Sequence, residues 1–298
     1  MSGEGSPQLP SGPGLPGAAP VDASRYDERY FDEDCGGAEF YRLFGPKLLK
    51  PPLSYSLRRA RIKAGMAVLD LGCGRGEILY HVRQAGAWGV GTDSSPAALG
   101  LARSSSGCPV TRCDAKELPF ADGSFDRVFL MGIVDHLHPW ELEKCFAEIG
   151  RVLKPGGFAV VHTCTNRHYY KNWSYGFRRF AARLLRAAHL PVRDPAAPRS
   201  QSDIALHVNE HSASQLRRFF RRIGWEAEVE PRPNYKLSLK ETYGEPLPDG
   251  LPIKPAPAWR VWFHHIFFQW PLTCVLAREL FAKAWPGKAL PLAPGRKV

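Results

Sequence analysis

The chain has 298 residues, is 44% hydrophobic and 23% charged, and carries a formal net charge of +11. These values argue against fibrous and disulfide-stapled classes, and leave room for one large α/β domain with additions or for two small domains. The charge is uneven: residues 1–150 hold 16 Lys+Arg against 19 Asp+Glu, a net of −3, and residues 151–298 hold 24 against 10, a net of +14. A basic half of this kind attracts phosphates of nucleic acid, anionic lipid or nucleotide-linked metabolites, or it is simply a solvated arginine-rich face. The seven cysteines are odd in number and show no Cys-x-x-Cys spacing, so no disulfide framework and no zinc site is expected. They suit a reducing cytoplasm. No basic-then-apolar leader and no apolar run of bilayer-crossing length is read in the sequence.

Residues 1–24 are rich in Gly, Pro, Ser and Ala and are expected to be disordered. Residues 25–61 gain aromatics, among them Tyr26, Tyr30, Phe31, Phe40, Tyr41 and Phe44, and are expected to form a helical cap. The core, 62–164, is predicted to run strand 66–71, helix 75–86, strand 88–93, helix 96–104, strands 109–113 and 125–131, helix 139–153 and strand 157–164. Short apolar strands alternating with amphipathic helices imply right-handed crossovers and a parallel sheet. Residues 165–205 look like an insertion with a basic amphipathic helix from Tyr175 to Leu190, either packed on the core or turned to a membrane or acceptor. Residues 206–240 return to the core, with a helix over Ser212–Gly224 and a strand over Trp225–Val229. The extension 241–298 is aromatic. Trp259, Trp262, Phe263, Ile266, Phe267 and Trp270 follow the spacing of one helical stripe, which is either core-packed or interfacial. A last antiparallel strand is hard to place. Val261–Phe268 is one candidate, although its spacing also suits a helix.

The most informative stretch is Val68-Leu69-Asp70-Leu71-Gly72-Cys73-Gly74-Arg75-Gly76-Glu77. An apolar strand ends beside an acid and breaks into a glycine loop that opens a helix, where a Cβ would block both the turn and a close ligand. Val90-Gly91-Thr92-Asp93 ends a second strand in an acid about twenty residues on, the place for a ribose hydroxyl acceptor. Cys113-Asp114-Ala115, Phe125-Asp126-Arg127-Val128-Phe129-Leu130-Met131 and Arg151-Val152-Leu153-Lys154-Pro155-Gly156-Gly157 follow in order. Over residues 65–165 this order resembles the class I S-adenosylmethionine (SAM) dependent methyltransferases, within them the broad quinone and small-molecule group.

The resemblance implies a Rossmann-like, doubly wound, mostly parallel seven-stranded α/β sheet and SAM as cofactor. It implies that Asp70, Gly72, Gly74 and Gly76 hold the methionine and ribose part, with the small Cys73 packed in the loop. Asp93, followed by Ser94, would take both ribose hydroxyls. Asp114 would take the adenine amine, with Ala115 donating a backbone hydrogen bond to the ring, and Met131 would lie by the sulfonium. A group that loses a proton on methylation is helped by a nearby base. Asp135 and His136 follow the fourth strand, where the family often places such a group. His162, His168, His207 and His211 each read more readily as structural or surface residues, and no metal is expected. The leading expectation is methyl transfer to a small or lipid-linked acceptor (a sugar, a quinone or a secondary metabolite) by a cytoplasmic protein, with peripheral contact to anionic membrane. The alternatives are an RNA methyltransferase using the basic half, and a SAM-binding or membrane-surface adaptor without turnover.

Overall fold

A computed structural model describes residues 18–164, 166–195, 197 and 201–287. The chain opens with a short turn at Ala23–Arg25 and a π-helical turn at Tyr30–Asp34. Helices α1 (Ala38–Phe44) and α2 (Pro51–Ala60) follow. The core then runs β1 (Ala67–Leu71), α3 (Glu77–Gln84), β2 (Trp88–Asp93), α4 (Pro96–Ser106), β3 (Val110–Arg112), β4 (Phe125–Met131), α5 (Pro139–Val152) and β5 (Leu153–Cys164). Next come α6 (Tyr170–Trp173), α7 (Tyr175–Ala187), α8 (Gln201–Leu206), α9 (Ala213–Arg222) and β6 (Trp225–Arg232). The chain continues through α10 (Leu239–Tyr243), α11 (Ala258–Phe267) and α12 (Thr273–Leu276) to β7 (Glu279–Pro286).

The seven strands form one sheet in the order β3-β2-β1-β4-β5-β7-β6. The first five are parallel, and β7 runs antiparallel to both β5 and β6. The central strands read as unbroken apolar runs because helices cover both faces. Alternate residues of β1 go to opposite cores: Val68 packs with Ile78, Val82 and Phe129 on one side, and Leu69 with Val128, Leu142 and Phe146 on the other. The order of strands reverses between β1 and β4. Ligands of such sheets sit in the crevice outside the carboxyl ends of the strands at that switch point.

Three expectations are corrected. The final antiparallel strand is Glu279–Pro286, not 261–268, of which 261–267 is helical, so the chain re-enters the core sheet after its aromatic extension. The charged Glu279 masks this strand in the sequence; it is buried and pairs with His162 of neighbouring β5 at 3.1 Å. Strand β5 begins at Leu153, which pairs with Phe125, so Pro155-Gly156-Gly157 lies inside the strand rather than before it. Of the stretch expected to be disordered, residues 1–17 lie outside the described residues, whereas 18–24 pack on the body, where the Trp140 indole N–H donates to the Ala18 carbonyl at 3.2 Å.

Candidate functional site

One cleft of about 690 Å³ runs along the carboxyl ends of β1, β2 and β4 under the N-terminal cap. Of the residues expected to bind cofactor, Asp70, Gly72, Cys73, Gly74, Asp93, Ser94, Asp114, Ala115 and Met131 all line it. Asp135 and His136 line it as well. Gly76 does not. It takes φ +78°, and a Cβ there would stand 2.7 Å from Ala102 Cα, so this glycine serves the close packing of the loop on α4. Gly72, at φ +69°, shapes the cleft itself, since a Cβ there would drive into Ile133 Cδ1 at 2.1 Å.

The glycine loop hangs on β2: the amides of Gly72 and Cys73 donate to the Thr92 carbonyl at 2.7 and 2.9 Å. Asp93 fixes its outer side, accepting from the Gly74 amide at 3.1 Å and the Ser95 amide at 2.9 Å. Each carboxylate oxygen has a second lone pair, so this capping role and a diol-binding role are compatible. Asp114 accepts from the Lys116 amide at 2.9 Å and pairs with its Nζ at 2.9 Å, while Lys116 also reaches the buried Glu141 at 2.7 Å. Burial works against the Asp114 carboxylate, but the Lys116 contacts outweigh it and hold its pKa low.

Asp70 is 2% exposed at the end of β1. Burial first, then the neighbouring carboxylates Glu77 and Asp93, push its pKa up to about 8. Burial likewise raises Asp93. Three carboxylates gathered around one glycine loop make a cradle for a cation. The ammonium and sulfonium of SAM suit that donor set, and its diol suits Asp93.

The far end of the cleft holds a second group. Asp135 is buried, and its Oδ1 accepts from the Thr163 hydroxyl at 3.1 Å. Its Oδ2 lies 3.1 Å from His207 Nε2 and 3.7 Å from His136 Nε2. Burial alone would raise this carboxyl, yet the two imidazoles hold it below the ordinary range. The backbone amides of Val208 and Asn209 both donate to the Asp135 carbonyl, which brings the His207 segment here from more than seventy residues away. On the other side of His136, Nδ1 hydrogen-bonds the Tyr26 hydroxyl at 2.8 Å. Burial, then Asp135, Asp93 and Glu141, push the Tyr26 pKa well up, so it stays a phenol. Ligand atoms of Asp135, His136 and His207 lie within 4.8 Å of one another, a grouping that could also hold a metal ion and that the sequence reading did not foresee.

Tyr26, Thr163, His162, His207 and Arg278 thus join the site beyond the expected set; all but Thr163 line the cleft. Tyr26 carried a signal as a cap aromatic. His207 carried none, because only the fold brings its loop to Asp135. Arg75 is a further addition. Although only 4% exposed, it donates to the carbonyls of Phe31 at 2.9 Å and Gly36 at 3.1 Å, tying the cap to the glycine loop.

Residues 68–157 match the family described as Methyltransferase domain. The chain is 37% identical over 121 residues to "Uncharacterized methyltransferase sll0829" of Synechocystis sp., covering 40% of this chain and 55% of that protein. It is 33% identical over 114 residues to "Probable tRNA methyltransferase 9B" of Bos taurus, covering 37% and 24%. It therefore spans about half or less of these relatives' own length. Its fold is shared with Haemonchus contortus phosphoethanolamine N-methyltransferase 2, solved in complex with S-adenosyl-L-methionine. The TM-score is 0.55 and the identity 19%, over 90% of this chain and 60% of that one.

Proposed function

We propose, from the premise that this chain belongs to the class I SAM-dependent methyltransferases, that it methylates a small-molecule acceptor in the cleft beneath its N-terminal cap. The observation that carries this reading is the single cleft lined at one end by Asp70, Asp93 and Asp114 and at the other by Tyr26, Asp135, His136 and His207. SAM, when bound, supplies a methyl group already activated for in-line displacement. The chain's own residues then align, dehydrate and deprotonate. Asp70 and Glu77 face the cation, Asp93 holds the diol, Asp114 and Ala115 border the base, and Met131 and Gly132 lie toward the reacting end. Positioning of this kind lowers a barrier by about 7–11 kcal/mol.

The acceptor's proton leaves through Tyr26. The phenol takes it while handing its own proton to His136 Nδ1, and Asp135 stabilises the imidazolium across the 3.7 Å gap to Nε2. Arg278 and His162 line the same end, so an acceptor bearing an anionic group is favoured. A sugar, quinone or secondary metabolite with an ionisable O–H or N–H fits this description.

A second reading, an RNA acceptor, is favoured by the likeness to the tRNA methyltransferase 9B proteins and by the net +14 of residues 151–298. A third, a SAM-binding adaptor without turnover, has the same cofactor end. Calorimetric titration with SAM and incubation of the protein with methyl-labelled SAM and fractionated cell extract separate the three. The expected results are SAM binding that Asp93→Ala weakens by at least about tenfold, the loss of one or two charge-assisted hydrogen bonds, and label in a small molecule. Unchanged affinity in Asp93→Ala removes the cofactor assignment. Label confined to RNA moves the acceptor to the second reading, and no label in any fraction moves the protein to the third.

A further inference from the structure

Among the described residues, thirteen of the sixteen exposed large apolar side chains fall in two short segments, 173–190 and 259–272. In α7, Phe177, Phe180 and Leu184 are 75%, 59% and 56% exposed, and Ala182 is the one residue the helix buries. In α11, no residue is buried, and Trp259 and Trp262 are 69% and 65% exposed, with Trp270 just beyond at 82%. Both helices carry their apolar residues at i, i+3, i+4, i+7 and i+8, from Phe177 and from Trp259. Each is thus a continuous stripe turned to solvent. Eight exposed aromatic rings at roughly 200 Å² each amount to apolar surface on the order of 1,000 Å², beyond the ~300–600 Å² of a monomer's largest ordinary patch.

The charge within these two segments is of one sign, with Asp194, just past the first, paired with Arg186 at 2.6 Å. Residues 165–193 contain seven Lys+Arg and no Asp or Glu, and residues 250–278 contain three and none. The segments adjoin: Asn166 donates to the Cys274 and Ala277 carbonyls at 2.9 Å, and the charges of Arg260, Arg178, Arg278 and Lys236 all act on Lys171. Neither stripe is long and apolar enough to span a bilayer. Tryptophan and phenylalanine on a short helix with arginine flanks are the composition of an element lying in the headgroup region. Aliphatic residues such as Leu184, Leu185 and Ile266 have no counterpart in base stacking.

We propose that the surface formed by α6–α7 and α11–α12 docks the protein on an anionic lipid bilayer, its tryptophans and phenylalanines inserted at headgroup depth and its arginines paired with lipid phosphates. Arg278 lines the acceptor end of the cleft, and its charge acts on Lys171 of this surface. A docked protein therefore presents that end of the cleft beside the membrane, and its acceptor is a lipid-linked molecule with an anionic headgroup. That consequence rests on the methyltransferase reading; docking does not.

Flotation of the full chain with phosphatidylcholine vesicles, with and without phosphatidylglycerol, tests the proposal. Binding is expected to the anionic vesicles and to fall at high salt. Trp262→Ser with Trp270→Ser, and Phe177→Ser with Phe180→Ser, should each lower partitioning by at least about tenfold while SAM affinity, measured by calorimetry, stays unchanged. Absence of vesicle binding, or equal binding to neutral vesicles, overturns the proposal. So does a concentration-dependent dimer that these substitutions break, which would make a second copy the occupant, or a shift of structured RNA lost in the same variants. Vesicle binding without methyl transfer to extracted lipid refutes only the acceptor.

Discussion

Helices α7 and α9 are written in nearly the same alphabet and end in opposite surroundings. Each alternates arginines with a stripe of large apolar residues. In α9, Leu216, Phe219 and Phe220 are no more than 5% exposed, pressed against Phe146 and Trp225, with the arginines in water. In α7 the apolar stripe itself faces water. Periodicity therefore fixes which residues share a face but not what covers that face. Coverage is a property of the tertiary structure: α9 is joined by one tight turn to β6, whose pairing with β7 presses the helix onto the sheet. Helix α7 follows α6 across Ser174 and runs out into a loop, and among the described residues only its Ala182 is buried.

The sharpest way to break this comparison is by truncation. Phe220→Ala opens a cavity among aromatic rings and is expected to cost about 3–5 kcal/mol. Phe180→Ala removes the same atoms from an exposed site and is expected to change stability by less than about 0.5 kcal/mol. Urea denaturation of the two variants measures both. A large loss at Phe180 would mean that α7 has a partner within the chain, and the exposed face would no longer need an outside occupant.

The same contrast separates what could be read in the sequence from what could not. Asp70, Asp93 and Asp114 could be placed because each lies at or within two residues of the carboxyl end of a strand, and strand ends in a parallel sheet converge on one crevice whatever the rest of the chain does. The far end of the cleft was only half legible. Asp135 and His136 follow β4 and could be located, but Tyr26, His207 and Arg278 arrive from the cap, a long insertion and the segment before β7. No spacing announces such contacts, because they are made by the fold across more than seventy residues. Strand β7 was missed for a related reason: a strand starting in Glu279 reads as polar until its buried partner His162 is known. Gly76 lies outside the cleft, and a glycine that lets the loop approach α4 looks the same in sequence as one that admits a ligand.

The proposed proton relay gives the next largest effect. Removing a positioned base typically costs 10²–10⁴-fold, so His136→Ala should lower kcat by about that factor with little change in SAM affinity. Tyr26→Phe should show a smaller loss confined to kcat. The cluster of Asp135, His136 and His207 also makes a sharp test of its own chemistry. Zinc is expected to inhibit by capturing the imidazoles and the carboxylate, while chelators leave the rate unchanged. Loss of activity in chelator that added zinc restores would turn the relay into a metal centre.

Asp70 offers a pH test at the cofactor end. With its pKa near 8 in the folded protein against an ordinary 3.8, it keeps its proton on folding across that interval. The folded state then binds more protons than the unfolded one, so the SAM-free protein loses stability as pH rises from about 4 to about 8. A cationic ligand favours the carboxylate, so binding below pH 8 should release a proton, and affinity should rise with pH up to that point. Calorimetry in buffers of different ionisation enthalpy measures the release directly. Asp70→Asn should abolish it, and a proton release that persists in that variant would assign it to another group.

The smallest effect concerns how the two ends of the cleft are coupled. Arg75 lies inside the glycine loop, yet its guanidinium donates to carbonyls of the cap, at Phe31 and Gly36, as well as to Glu77 at 3.3 Å, and sits over the Tyr41 ring at 5.4 Å. The cap in turn carries Tyr26 to His136. A loop ordered by cofactor would thus hold the cap shut over the acceptor end. Arg75→Lys keeps the charge but loses the planar fork that reaches two carbonyls at once. It should weaken SAM binding by roughly tenfold, about 1.4 kcal/mol, and speed proteolytic cleavage within residues 25–37. Saturating SAM should slow that cleavage in the parent protein more than in the variant. If cleavage rates and their response to SAM are the same in both, the cap closes independently of the loop, and Tyr26 reaches His136 whether or not the cofactor is bound.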